Sequence, residues 1–251
     1  MMPELRVNAL DKSYTNSHRC LKVLDKISFE AKEGDFISIV GPSGCGKSTL
    51  LNCIAGFVKQ TSGEIIFGRE DARERIGVVF QDRMLFPWLN TRENIGFGLS
   101  LHNEKKASQK IDYLISRLGL KGFEGSYPSE LSIGMQQRAG IARALAIRPR
   151  ILLMDEPFGS VDHLTRIKLQ ELLVKLWEST KTTVIFVTHD IDEAIFVGER
   201  MFVMGNRPAR IKKEIKVDLP RPRNTATLTN RRFNEIKKEV LDILKEEDAD
   251  L

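Results

Sequence analysis

The sequence predicts an α/β fold built on a parallel central sheet. Short apolar runs of strand length alternate with stretches of helical periodicity, the order that produces parallel strands joined by helices. Two of the runs, ILLM at 151–154 and TVIFV at 183–187, are almost continuously apolar, as strands covered on both faces are. From about residue 85 to 145 the alternation gives way to helical patterns with few strands, which places a helical subdomain inside the α/β core.

Taken in order, the strand-like runs are LRVNAL, DFISIV, EIIFG, RIGVVF, RILLMDE, TTVIFVTH and RMFVM, each rich in branched or aromatic residues. Between them, STLLNCIAG, KIDYLISRLGL, MQQRAGIARALAI, LTRIKLQELLVKLWEST and DIDEAIFV repeat their apolar residues at three- and four-residue spacing. The tail opens on a Pro/Arg turn, LPRPR, and closes in one charged amphipathic helix. This sets a C-terminal helical extension over residues 224–251 apart from the main unit, 1–223. No internal repeat or low-complexity segment is present.

Composition narrows the class. The chain has 251 residues, 41% of them hydrophobic and 29% charged, enough for a sizeable core in a soluble globular protein. No run approaches the roughly 18 apolar residues a membrane span needs. The opening MMPELRVNALDKSY lacks the basic-then-apolar order of a signal peptide, so the protein is expected to stay in the cytosol. Cys20, Cys45 and Cys53 show no CxxC pairing, and free thiols are expected. The formal charge of +5 comes from scattered basic residues without a basic stripe interleaved with aromatics, so no nucleic-acid partner is expected.

The motif with most chemistry is GPSGCGKS at 41–48, between the apolar run FISIV and the helical STLLNCIAG. Its residues Gly41, Pro42, Ser43, Gly44, Cys45 and Gly46 can turn successive backbone N–H groups onto phosphate oxygens, and Thr49 follows in the helix. Lys47 would reach the β- and γ-phosphates of a nucleotide while Ser48 ligates Mg²⁺. Such a loop also needs carboxylates. RILLMDEP supplies Asp155 for the metal shell and Glu156 to polarise an attacking water, at the end of a buried strand.

At this point the chain resembles the ATPase subunits of ABC transporters. The resemblance rests on several motifs in family order: the phosphate loop, the ILLMDE strand, Gln81 in VVFQD, LSIGM at 131–135, FGSVD, and His189 in VTHD. It implies a P-loop NTPase core with an N-terminal antiparallel β-subdomain and the inserted helical subdomain. It further implies that Gln81 touches Mg²⁺ and water and reports to membrane subunits, that His189 contacts the γ-phosphate, and that Asp162 is the D-loop aspartate. Tyr14 is placed like the aromatic that stacks on adenine. Ser132 and Gly134 are implied to close over ATP held by the phosphate loop of a second copy, each site being shared across a two-fold axis.

Two features depart from the family's LSGGQ pattern: Met135 stands for glutamine and Ile133 for the first glycine. A β-branched residue is disfavoured where φ is positive, so Ile133 is expected to take an ordinary negative φ with its side chain turned away from phosphate. The longer stretches GPSGCGKSTLLNCIAGF, QDRMLFPWLNTRENIGFGL and YPSELSIGMQQR are similar to importer ATPases of the nitrate, sulfonate and taurine type.

That resemblance implies a homodimer or paired ATPase on the cytoplasmic face of the membrane, integral permease subunits, and an extracytoplasmic substrate-binding protein. The run from Met84 to Asn90, with Phe86, Pro87, Trp88 and Leu89, is expected with Gln81 to receive the permease, with Arg92, Glu93 and Asn94 adding polar contacts. Two other readings stay in view: a soluble ABC protein of nucleic-acid metabolism, and a regulatory subunit without turnover. Co-purification with nucleic acid would mark the first, and absent phosphate release the second.

Overall fold

The structure is a computed structural model that describes residues 3–15, 19–68, 75–81, 85–101 and 107–249. The first half of the chain runs β1 (Leu5–Thr15), β2 (Cys20–Ala31), β3 (Phe36–Val40), α1 (Lys47–Ile54), β4 (Ser62–Phe67) and β5 (Ile76–Val79). Three helices follow, α2 (Thr91–Ser100), α3 (Ala107–Arg117) and α4 (Ile133–Ala146). The remainder is β6 (Ile151–Asp155), α5 (His163–Thr180), β7 (Thr183–Thr188), α6 (Ile191–Val197), β8 (Arg200–Met204), β9 (Ile211–Lys216) and α7 (Arg231–Ala249).

Two sheets result. The order β2-β1-β4 makes a three-stranded antiparallel sheet, and β5-β6-β7-β3-β8-β9 makes a six-stranded one, parallel except for its edge strand β9. Alternation of side chains across the central sheet separates two cores. Phe36, Val40, Leu152, Met154, Val184 and Phe186 point into a cluster with α4, α5 and α6. Their neighbours Ile37, Ile39, Ile151, Leu153, Ile185 and Val187 point into the other, with α1 and the antiparallel sheet. Both faces are dry, which is why these strands read as unbroken apolar runs.

Three elements were not anticipated. β2 mixes charged with apolar residues and is bulged against β1, which blurs its period of two. β9 reads IKKEIK, a polar edge strand. α2 contains Gly96 and Gly98, poor helix formers at close approaches, where a Cβ would lie 2.7 Å from Ile111 Cδ1 and 2.6 Å from Ile147 Cγ2 respectively. Its start is set by a capping box, Asn90 accepting from the Glu93 N–H while Glu93 accepts from the Asn90 N–H.

The tail helix α7 packs Phe233, Ile236 and Val240 into the first core, and Lys237 pairs with Asp192 at 2.7 Å. Among the described residues no helix is long and apolar enough to cross a membrane.

Candidate active site

Three neighbouring parallel strands, β3, β7 and β6, end on the same side of the sheet, and the residues just past their ends form the site. After β3 the chain turns through 41–46 into α1. Gly46 closes that turn at φ 129°, a conformation that side-chain-bearing residues avoid, and a Cβ there would also lie 2.8 Å from Val23 Cγ1. Lys47 is buried, and its ammonium donates to the Gly41 and Pro42 carbonyls at 2.9 Å each, arching across the loop. Cys45 is buried too, and burial pushes its thiol pKa up, so it is an inert packing group in the loop wall.

The two expected carboxylates stand against this loop. Ser48 Oγ donates to Asp155 Oδ1 at 2.9 Å, bringing together the two side chains expected to share a metal. Burial holds the Asp155 carboxyl above its ordinary range, partly offset by the Ser48 hydrogen bond. A divalent cation with the phosphates would supply the charge this pocket lacks, and the hydroxyl–carboxylate pair is the oxygen donor set Mg²⁺ takes. Among the described residues no three His, Cys, Asp or Glu side chains gather into a metal cage.

Glu156 lies between two groups. Its Oε1 is 3.9 Å from Lys47 Nζ, its Oε2 is 2.8 Å from His189 Nδ1, and its backbone is in the left-handed region at φ 42°. Holding a non-glycine residue there costs about 1 kcal/mol or more, and here the strain aims the carboxylate across the loop toward His189.

Ser132, Gly134 and Asp162 form a second group at two helix starts. Ser132 caps α4, its hydroxyl accepting from the Met135 N–H at 3.3 Å, and Asp162 caps α5 by accepting from the Thr165 N–H at 3.0 Å. Those hydrogen bonds from Thr165 hold the Asp162 carboxyl below the usual range. Gly134 joins the two ends, since a Cβ on it would sit 2.9 Å from Thr165 Cγ2. Ile133 is the first residue of α4, is absent from the positive-φ residues, and leaves its side chain 45% exposed. Tyr14 is exposed on β1 with the Lys12 ammonium 4.6 Å over its ring, and Gln81 is exposed just beyond β5.

Comparison with known proteins gives the family. The family model described as ABC transporter matches residues 24–159, more than half of the chain. The chain belongs to the ABC transporter family. It is the ATPase cassette of that family. It is similar to the aliphatic sulfonates import ATP-binding protein SsuB of Bacillus cereus, with 46% identity covering 94% of this chain and 93% of the relative. An uncharacterised ABC transporter ATP-binding protein of Methanocaldococcus jannaschii is 43% identical, covering 98% and 93%. Among solved structures, the cassette MJ0796, dimeric and bound to ADP and Pi, superposes with a TM-score of 0.74 at 33% identity, covering 86% of this chain and all of that one.

The ABC cassette also has parts that sequence reasoning missed. Behind His189, Glu193 is buried on α6 and accepts from Gln170 Nε2 at 3.1 Å, and the adjoining Asp190 pairs with Arg166 at 3.1 Å. Thr188 accepts from the Asp190 N–H at 3.0 Å. Burial pushes the Glu193 carboxyl up to about 7 despite hydrogen bonds from Thr188 and Gln170. The acidic run HDIDE was the only visible signal of this network. Arg207, beyond β8, donates to the Gly44 carbonyl and so grips the phosphate loop from outside. Its neighbour Asn206 donates from its backbone to Glu247 of α7 at 3.2 Å, and Lys212 of β9 pairs with the same carboxylate.

In the run after Gln81, Met84 lies outside the described residues. Trp88 is 69% exposed, and its ring lies 5.4 Å from that of Phe86, which packs at 4.5 Å on Phe97 under the Arg143 guanidinium. Asn94, expected to add a polar contact on this surface, is instead fully buried. It accepts from the Phe86 N–H at 2.8 Å and donates to the Leu89 carbonyl at 2.8 Å, so it shapes the turn from inside. Arg92 pairs with Asp112, and Glu93 serves the capping box.

Proposed function

We propose that this chain is the ATP-binding subunit of an importer of small organic sulfonates or closely related solutes. In this reading two copies close over two ATP molecules on the cytoplasmic face of the membrane. They drive an integral permease fed by an extracytoplasmic substrate-binding protein. The observation that carries it is Glu156 held between Lys47 and His189 at the end of the phosphate loop, in a cassette 46% identical to a sulfonate-import ATPase.

Each residue then has a chemical task. The loop 41–46 and Lys47 bind the phosphates, Lys47 exchanging its carbonyl partners for phosphate oxygens. Tyr14 stacks on the base and Thr49 completes the helix start. Ser48, Asp155 and Gln81 would hold Mg²⁺, which when bound neutralises charge on the β- and γ-phosphates. Glu156 orients water in line with the γ-phosphate and accepts its proton, and His189 fixes the carboxylate that does so. Ser132 and Gly134 of the second copy donate to the γ-phosphate from the start of α4, where the helix dipole favours the anion, and Asp162 steers the approach of the two copies. Gln81 and the Phe86–Trp88 surface receive the permease.

Two measurements test the reading. Light scattering on Glu156→Gln protein should shift from one copy to two when ATP and Mg²⁺ are added. Purification of the chain from membranes of the cell that naturally makes it should recover it with an integral membrane protein. A monomer that binds ATP in the full complex would remove the shared-site mechanism, and a chain that elutes with nucleic acid instead would support the soluble alternative.

A further inference from the structure

A cavity of about 720 Å³ lies at the opposite end of the central sheet from the phosphate loop, against the residues that lead into β5, β6 and β7. Its volume falls within the range of small-molecule sites. The walls come from two parts of the molecule. Lys110, Tyr113 and Leu114 belong to α3 and Leu145 to the end of α4, whereas Arg150 precedes β6 and Lys181 precedes β7.

The charge of the lining is one-sided. Arg75, Lys110, Arg148, Arg150 and Lys181 face two carboxylates, Glu4 and Glu33. Arg150 is already within 3.8 Å of Glu4, and the Lys181 ammonium rests 4.1 Å over the Trp177 ring with no carboxylate partner among the described residues. The anionic partners are thus taken first by Arg150, and the surplus is weighted toward Arg148 and Lys181, both exposed. These two also have left-handed backbones, at φ 49° and 51°, just after α4 and at the end of α5. Glycine or asparagine is the usual residue at such helix ends, so a long cationic side chain is kept there at a cost in strain. Apolar wall is supplied by Leu114, Leu145 and Leu176, and Tyr113 presents a half-exposed ring.

We propose that this cavity is a second ligand site, separate from the nucleotide site, for a small aromatic organic anion with a phosphate or sulfonate head. Arg148 and Lys181 take the head through charge-assisted hydrogen bonds, and Tyr113 with the leucines takes the ring. A ligand there spans α3 and the core, and so ties the helical insertion that carries Ser132 and Gly134 to the sheet whose strand β3 leads into the loop before Lys47. The proposal stands independently of the transported solute.

Calorimetry tests it with 1-naphthyl phosphate and 1-naphthalenesulfonate as probes, and with neutral 1-naphthalenemethanol as the control. The protein is saturated with ADP so that the phosphate loop is filled. The expected result is one anion per chain, no heat from the neutral compound, and affinity at least tenfold weaker in Arg148→Glu/Lys181→Glu and in Tyr113→Ala. Lys121→Glu, an exposed charge reversal outside the cavity, should bind as the parent does, and unchanged thermal midpoints show that the variants are folded. The stronger of the two probes identifies the preferred head. No binding in ADP, an affinity indifferent to the Arg148, Lys181 and Tyr113 changes, or displacement of the probe by ADP would overturn the proposal.

Discussion

His189 Nδ1 stands 2.8 Å from Glu156 Oε2, so the residue after β7 holds the carboxylate that follows β6. The pair follows adjacent strands joined in parallel register, Asp155 opposite Val187, so its separation is set by the sheet together with the left-handed backbone of Glu156. Replacing Glu156 by Gln keeps the shape and the hydrogen bond but removes the proton acceptor. Phosphate release should fall by about 10²- to 10⁴-fold while ATP binding, followed by fluorescent nucleotide titration, is kept. An unchanged turnover number would take Glu156 out of the base role.

Ile133 is expected to matter little. It begins α4 with helical backbone and a side chain 45% exposed, so Ile133→Gly removes little buried surface. Unfolding stability should change by less than about 1 kcal/mol, and ATP-driven pairing of Glu156→Gln protein should be the same with either residue. A large gain in pairing with glycine would show that isoleucine obstructs closure.

Gly134 has the opposite character. A Cβ would press on Thr165 Cγ2 at 2.9 Å, so Gly134→Ala should destabilise the chain by about 1–3 kcal/mol in urea unfolding. Adding Thr165→Ser removes that methyl and should restore most of the loss. If the second change restores nothing, the contact between α4 and α5 is not what excludes the side chain.

The buried Glu193 makes stability depend on pH in an unusual direction. Its carboxyl, faced by Gln170, Thr188, Asp190 and Arg166, titrates near 7 in the folded chain against an ordinary 4.5. The native state therefore holds the proton more tightly than the unfolded state does. Stability from this group is fully present below 4.5 and is lost as pH rises through about 7. Between pH 4 and pH 8 this amounts to as much as about 3 kcal/mol, and Glu193→Gln should flatten that part of the curve. Chemical unfolding of both proteins at several pH values measures it.

Asn94 is a second buried polar group, and its removal should be costly. It holds the Phe86 N–H and the carbonyls of Phe86 and Leu89, which Asn94→Ala would leave without that partner. A loss of about 2 kcal/mol is expected, together with altered Trp88 fluorescence as the turn relaxes. Unchanged emission with lowered stability would mean that the aromatic surface is held by its ring contacts alone.

These outcomes also mark what was legible in the sequence. The strands β3, β6 and β7 declared themselves because both their faces are apolar, and the loop 41–48 because its spacing is tied to phosphate chemistry. Lys47, Ser48, Asp155, Glu156 and His189 could thus be named in advance, and the structure brings them together. β9 stayed hidden because an edge strand satisfies its backbone on one side only, and three lysines and a glutamate leave just Ile211 and Ile215 as an apolar signature. Gly96 and Gly98 concealed α2, since close packing cannot be read from a single chain. The burial of Glu193 and Asn94 was invisible for the same reason: a polar residue looks the same in sequence whether water or a Gln170 amide meets it.

Arg207 and Glu247 have a consequence of their own. Arg207 clasps the Gly44 carbonyl, the adjacent Asn206 is moored to Glu247, and Glu247 sits near the end of the chain on a helix whose other face is sunk in the core. The last described helix is thus a guy-line on the loop 41–46, and loosening α7 should be felt at Gly44 through two residues.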